Sequence, residues 1–335
     1  MLIDQLSLKA KIGQLLLIGF DGCEFTPELE HYLDQYSPGG VILFKRNYQN
    51  RQQLIKLCSE LQSWAKKQFP AIPLFIAVDH EGGRVQRFRS EFTLLPPAGT
   101  IKSAQEAYRI GKTMGRELTG AGINMNLAPV LDVNSNPQNP IIGDRSYGST
   151  PERVIELALP LMLGMMEEGL IAVGKHFPGH GDTSLDSHLA LPTVDAAPDI
   201  LRQRELAPFA AAIGNGLPAI MTAHVLYPAW DGNNPATTSP FILTELLRRQ
   251  MGFAGVVISD DMLMKALNSD KIEIVAVQSF MAGVDFFIVG DKKDIQINIF
   301  ESLYKAVQNG LITDSRLDQS LQRIFNLKTK YITRN

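Results

Sequence analysis

Short apolar runs alternate along this chain with longer segments in which apolar residues recur every three to four positions. Eight runs have the length and composition of strands: Leu15–Phe20, Val41–Phe44, Leu74–Val78, Asn124–Ala128, Ala172–Lys175, Ala219–Thr222, Val256–Ser259 and Phe286–Val289. The stretches between them predict helices. Gln49–Lys67 carries Leu54, Leu57, Leu61 and Trp64 on one face. Pro151–Glu168 follows Ser149-Thr150, an N-cap pair, and Asp294 stands where it would cap Ile295–Gln308. Thr238–Arg249 and Ile272–Ala282 fill later units, and Ser315–Tyr331 reads as a closing C-terminal helix.

Strand–helix units repeated in this way predict an α/β chain whose parallel sheet closes on itself, a single-domain (β/α)8 TIM barrel over residues 1–335. A doubly wound open sheet is the main rival. It is disfavoured because no G-x-G-x-x-G follows the first strand, and Gly252–Gly255 precedes a strand.

Charge and composition then narrow the function. The net charge is -3, from 32 basic and 35 acidic residues with no block of one sign. Such a surface gives no electrostatic footprint for nucleic acid or an anionic membrane. Cys23 and Cys58 read as reduced thiols and have no zinc-ligand spacing. The segment Met1–Lys11 lacks a basic stretch followed by an apolar core, and no apolar run approaches the roughly 20 residues of a membrane span. A cytoplasmic protein without a membrane anchor is the expectation.

In a barrel of this kind, chemistry sits at the C-terminal strand ends. There the chain is rich in polar residues: Asp79–Arg87 after the third strand, Asp132 and Gly143–Ser146 after the fourth, Lys175–Asp182 after the fifth, His224 after the sixth, and Asp260-Asp261 after the seventh. All histidines except His31 fall on these segments or, for His188, shortly beyond the one that follows the fifth strand. Asp79 and Arg87 suit the hydroxyls of a sugar, or else form a structural ion pair. Lys175 and His176 suit the same hydroxyls, and Lys175 can also pair with Asp79 or Asp260. In Asp186-Ser187-His188 the carboxylate can accept the imidazole Nδ1 proton and leave Nε2 for proton transfer. A carboxylate at a strand end, Asp260, can act as nucleophile, base or metal ligand. Of the two adjacent aspartates, Asp260 is expected to face the mouth and Asp261 to pack sideways.

Several stretches, in this order, resemble a known family. AVDHEGGRVQRF (Ala77–Phe88), IIGDRSYG (Ile141–Gly148), KHFPGHGDTSLDSH (Lys175–His188) and GVVISDDMLM (Gly255–Met264) are similar to the bacterial family 3 β-N-acetylhexosaminidases of peptidoglycan recycling. The resemblance runs from about Leu15 to about Gly310. It implies a retaining hydrolase with Asp260 as nucleophile, His188 as acid/base and Asp186 orienting and charging His188. It further implies that Asp79, Arg87, Arg145, Lys175 and His176 hold the N-acetylglucosamine ring. Neither metal nor cofactor is implied, and a cytoplasmic monomer acting on N-acetylglucosaminyl-anhydro-muropeptides is expected, without a second domain after the barrel. Small departures concern the pocket: His80 stands where many members carry Gln, Met262 where Leu is common and Leu263 where Ser is common.

Other chemistries on a barrel remain open at this point. A metal hydrolase would use His176, His180, His224 and Asp260, although the H-x-H pair expected at the first strand end is absent. A Schiff-base aldolase would use Lys175, and a sugar-binding barrel would bind without turnover.

Overall fold

The computed structural model describes residues 3–183, 191–264 and 272–333. Its centre is a barrel of parallel strands, β1 Leu16–Ile18, β2 Gly40–Leu43, β3 Phe75–Val78, β4 Met125–Asn126, β5 Ile171–Phe177, β6 Ala219–Thr222, β7 Val256–Ile258 and β8 Phe287–Val289. Every residue of these strands is buried, because both faces of the sheet are covered. Neighbours in sequence pair in order from β1 to β7. β8 returns to β1 through Leu16↔Phe287, Leu17↔Ile288 and Ile18↔Val289. The last seam, β7 to β8, is closed by the bridge Ile258↔Phe286, the Ser259 amide donating to the Phe286 carbonyl at 2.9 Å.

Helices wrap the barrel through buried apolar stripes, several of them starting at a polar cap. Asn50 caps Arg51–Lys67 by accepting from the Gln53 amide, and Leu54, Leu57, Leu61 and Trp64 of that helix are buried. Thr150 caps Pro151–Glu167 and Thr313 caps the last helix, Asp314–Tyr331. That last helix lies across the N-terminal strand ends. Lys328 Nζ reaches Gln14 Oε1, just before β1, at 2.8 Å and stands 5.0 Å from the Phe75 ring that opens β3. Asp285, fully buried before β8, takes Arg248 Nη2 at 2.6 Å, Arg323 Nη1 at 2.9 Å and Ser320 Oγ at 2.5 Å.

Each strand expected from sequence is found, with differences at the ends. β4 is shorter than Asn124–Ala128, while β5 runs on to Phe177. Helices Leu8–Gly13, Pro27–Tyr36, Ala104–Thr119 and Leu206–Gly214 add to those read from periodicity. The segment Phe241–Gln250 is wound as a π-helix. Asp294 is not an N-cap: the helix begins at Lys293, so Asp294 sits in its first turn, where a carboxylate still favours the positive end of the dipole. A small hairpin, His80–Gly82 against Val85–Gln86, follows β3.

Candidate active site

The C-terminal strand ends enclose a cavity of about 620 Å³. Asp79, Arg87, Arg145, Lys175, His176, His180, Asp260 and Asp261 line it together with apolar side chains such as Phe44, Met221 and Ile288. Six of the residues singled out from sequence, Asp79, Arg87, Arg145, Lys175, His176 and Asp260, thus converge on one space. Asp186 and His188 lie outside the described residues.

One wall is a chain of alternating charges. Arg87 Nη2 donates to Asp79 Oδ2 at 3.0 Å, and Lys175 Nζ donates to Asp79 Oδ1 at 2.8 Å. The same ammonium stands 2.6 Å from Glu81 Oε1. Glu81 in turn accepts from Arg145 at both oxygens, Nε to Oε2 and Nη2 to Oε1, each at 2.8 Å. Burial alone would push the Asp79 carboxyl up, but the Lys175 and Arg87 cations overcome it and hold the group well below the usual carboxylate range. Burial likewise opposes the charge on Glu81, and Arg145 and then Lys175 bring it down to about 2. For Lys175, burial favours the neutral amine, yet Asp79 and Glu81 raise its pKa above the ordinary value. A lysine locked in the ammonium form between two carboxylates is a poor Schiff-base nucleophile, which needs a free amine. The sugar-hydroxyl and ion-pair readings of Asp79, Arg87 and Lys175 are compatible, since the pairs fix the donors at the cavity wall.

Glu81 is a member of this wall that the sequence reading passed over. A signal existed: in an extended segment, residues two apart share a face, so Asp79 and Glu81 both turn toward Lys175. Asp132, flagged at a strand end without a role, is the second such group. It is fully buried, and its Oδ2 lies 2.6 Å from His176 Nδ1. Its Oδ1 accepts from the amides of His176 at 3.0 Å and His180 at 2.8 Å. Burial opposes the Asp132 charge, but His176 beside it lowers the pKa, so the carboxylate is ionised and accepts the Nδ1 proton. The His176 Nε2 is left for the cavity.

The segment leaving β5 is pinned as it turns away. Asn139 Nδ2 donates to the carbonyls of His180 at 2.8 Å and Gly181 at 3.1 Å. His180 Nδ1 lies 2.9 Å from Thr183 Oγ1, and burial lowers the imidazole pKa to about 4. The peptide bonds Lys175–His176 and Phe177–Pro178 are cis. His80, one of the departures in sequence, packs away from the cavity among Phe88 and Phe92, with ring centroids 5.9 and 6.0 Å distant.

Across the cavity stands the β7 turn. The Asp261 amide donates to Asp260 Oδ1 at 2.8 Å. Asp261 lines the cavity too, rather than packing wholly aside. Its Oδ1 takes the amides of Leu263 at 3.1 Å and Gly290 at 3.4 Å. Burial, with the nearby Asp260 charge adding to it, raises the Asp261 carboxyl to about 6. His224 has both ring nitrogens engaged, Nδ1 with Thr237 Oγ1 at 2.7 Å and Nε2 with the Asp261 carbonyl at 3.1 Å.

Carboxylates, cations and imidazoles thus surround one cavity at the C-terminal face of a closed parallel barrel, the end at which TIM barrels carry their sites. The description "Glycosyl hydrolase family 3 N terminal domain" matches residues 7–327. A curated relative, β-hexosaminidase A of Pseudoalteromonas piscicida, is 39% identical over 330 residues, which are 91% of this chain and 55% of that protein. Among solved structures, a glycoside hydrolase family 3 β-N-acetylglucosaminidase from Paenibacillus sp. str. FPU-7 superposes with a TM-score of 0.96 at 41% identity, over 98% of this chain and 64% of that one. The chain therefore spans less than two thirds of either of these. NagZ from Neisseria gonorrhoeae, solved in complex with N-trifluoroacetyl-D-glucosamine, superposes with a TM-score of 0.77 at 34% identity, over 93% of this chain and 97% of that one. The chain belongs to glycosyl hydrolase family 3.

Proposed function

We propose that this protein is a retaining, exo-acting β-N-acetylglucosaminidase that removes N-acetylglucosamine from 1,6-anhydro-muropeptides during cell-wall recycling in the cytoplasm. The observation that carries the reading is the Asp260 carboxylate, aligned by the Asp261 amide, facing the Arg87–Asp79–Lys175–Glu81–Arg145 chain across one cavity. Relatives and neighbours named for β-hexosaminidase and β-N-acetylglucosaminidase activity support the sugar class.

In this scheme Asp79, Arg87, Arg145, Lys175 and His176 bind the hydroxyl and acetamido groups of the terminal sugar. Asp260 attacks the anomeric carbon, and protonated His188 gives its proton to the departing oxygen. Neutral His188 then takes a proton from water, which attacks the same carbon and frees Asp260. Asp186 orients the imidazole through Nδ1. The protein acts as a monomer and needs no cofactor.

The decisive experiment is incubation with a 2-acetamido-2-deoxy-5-fluoro-glycosyl inactivator followed by mass spectrometry of the labelled peptide. The label is expected on Asp260. A label on Asp261, or near-normal turnover of an aryl β-N-acetylglucosaminide by Asp260→Ala, would overturn the assignment. For His188→Ala, natural substrates should lose more rate than substrates with very good leaving groups, and equal losses would count against acid catalysis.

A further inference from the structure

We infer that His224, oriented by Thr237 and Thr222, is a positioning residue that sets the turn presenting Asp260. The argument is an inventory of donors and acceptors. A carbonyl oxygen can only accept, so the 3.1 Å contact between His224 Nε2 and the Asp261 carbonyl requires a proton on Nε2. The ring is almost completely buried, and burial lowers its pKa, so it carries one proton. Nδ1 is therefore an acceptor, and the 2.7 Å contact with Thr237 Oγ1 must be donated by the hydroxyl. With its proton on Nδ1, Thr237 cannot serve the Ala223 carbonyl 3.1 Å away. The 2.8 Å contact with Thr222 is then donated by Thr222. The result is a one-way chain from Thr222 at the end of β6, through Thr237 and His224, to the backbone of Asp261.

This chain grips the turn that aligns the nucleophile. Asp261 is held at its carbonyl by His224, and at its carboxylate by the amides of Leu263 and Gly290. Its own amide aligns Asp260 Oδ1. His224 is not among the residues lining the cavity. Loss of its grip should therefore disturb the attack while leaving the cationic wall that holds the sugar intact.

The inference rests on Asp260 as nucleophile, so the test reads the two separately. In the whole chain, His224→Asn, His224→Gln, Thr237→Val and Thr237→Ser are compared by kcat, by the rate of labelling with the 5-fluoro inactivator, and by competitive inhibition with N-acetylglucosamine. His224→Asn puts an amide near Nδ1 and removes the donor to Asp261. It should slow labelling and turnover by about 100-fold, the scale of a small misplacement of a reacting group. Inhibition by N-acetylglucosamine should be unchanged. His224→Gln, whose amide nitrogen can stand where Nε2 stood, should recover much of the rate. Thr237→Val should slow labelling, and Thr237→Ser should restore it. Labelling of His224→Asn at the parental rate would overturn the inference, as would equal losses in His224→Asn and His224→Gln with weakened N-acetylglucosamine inhibition. If His224→Asn does not fold, parental labelling by Thr237→Val overturns it instead. A label on another residue in the parent sinks the nucleophile, not the relay.

Discussion

Replacing Glu81 by glutamine removes one charge from the middle of the cationic wall while keeping the side-chain shape. The Glu81 side chain is 4% exposed and the Lys175 side chain 2%, so water cannot take over the lost contacts. Glu81 titrates at 4.5 when unperturbed and is brought down to about 2 in the fold, chiefly by Arg145 and Lys175 working against burial. That difference corresponds to about 3 kcal/mol of stability at neutral pH, at the low end of the 3–5 kcal/mol typical of breaking a buried ion pair on one side. The sign follows from the depressed pKa. The contribution is present above about pH 4.5 and fades as pH falls toward 2. With an unfolding entropy of about 2.1 cal/mol/K per residue over 335 residues, Glu81→Gln should lower Tm by about 4 °C at pH 7. Scanning calorimetry of parent and variant at pH 7, 5 and 3.5 reads this directly, and the gap should shrink toward the acid end. Because Glu81 also fixes the Arg145 fork, N-acetylglucosamine should bind more weakly to the variant. Equal melting temperatures at pH 7, or a gap that persists unchanged at pH 3.5, would refute the charge-chain account.

Two further predictions concern the segment that leaves β5. Glu205 is fully buried with Oε2 unpartnered among the described residues, and burial raises its pKa to about 7 although Arg204 Nε donates to Oε1 at 2.6 Å. A raised acid pKa means that the fold holds a proton which the unfolded chain releases, so stability falls as pH climbs from about 4.5 to about 7. Glu205→Gln should therefore melt higher than the parent at pH 8 and match it at pH 4.5, and an identical offset at both values would contradict this. Gly181 meets the Val133 carbonyl so closely that an added Cβ would sit 1.7 Å from its oxygen. Gly181→Ala should displace the backbone at Gly181, a few residues before Asp186 and His188 in sequence, and lower kcat by about 100-fold. Circular dichroism would confirm the barrel, and an unimpaired kcat would refute the prediction.

The barrel was legible because its strands are buried on both sides and read as unbroken apolar runs such as Val41–Leu43 and Phe286–Val289. Helices were less legible where the stripe was thin or interrupted. Ala104–Thr119 was passed over although its polar and apolar residues segregate to opposite faces; its buried stripe is built largely from short residues, Ala107, Gly111 and Gly115, beside Met114 and Leu118. Leu206–Gly214 is apolar nearly all round, so no face stands out. In the site, strand ends told which residues could meet, and Asp79, Lys175 and Asp260 met as expected. What the sequence could not convey is which partner each charge chooses. Lys175 takes Glu81 as well as Asp79 and not Asp260, and His176 takes Asp132 from the neighbouring strand end. Such choices depend on register between strands distant in sequence, which local patterns do not encode.

The seam between the seventh and eighth strands carries one ladder bridge and the amides of Asp285 and Phe286 on the Val257 carbonyl, and the carboxylate of Asp285 buckles it from below to Arg248 on one side and to Arg323 and Ser320 on the other. Asp260 hangs from the upper end of that same seam. Heat that loosened the buckle would part the staves there and carry the carboxylate proposed as nucleophile out of line while the opposite wall still stood. On the proposed role of Asp260 the final helix is a hoop for turnover as much as for shape, and shortening it before Arg323 should abolish activity well below the temperature at which the cask falls apart.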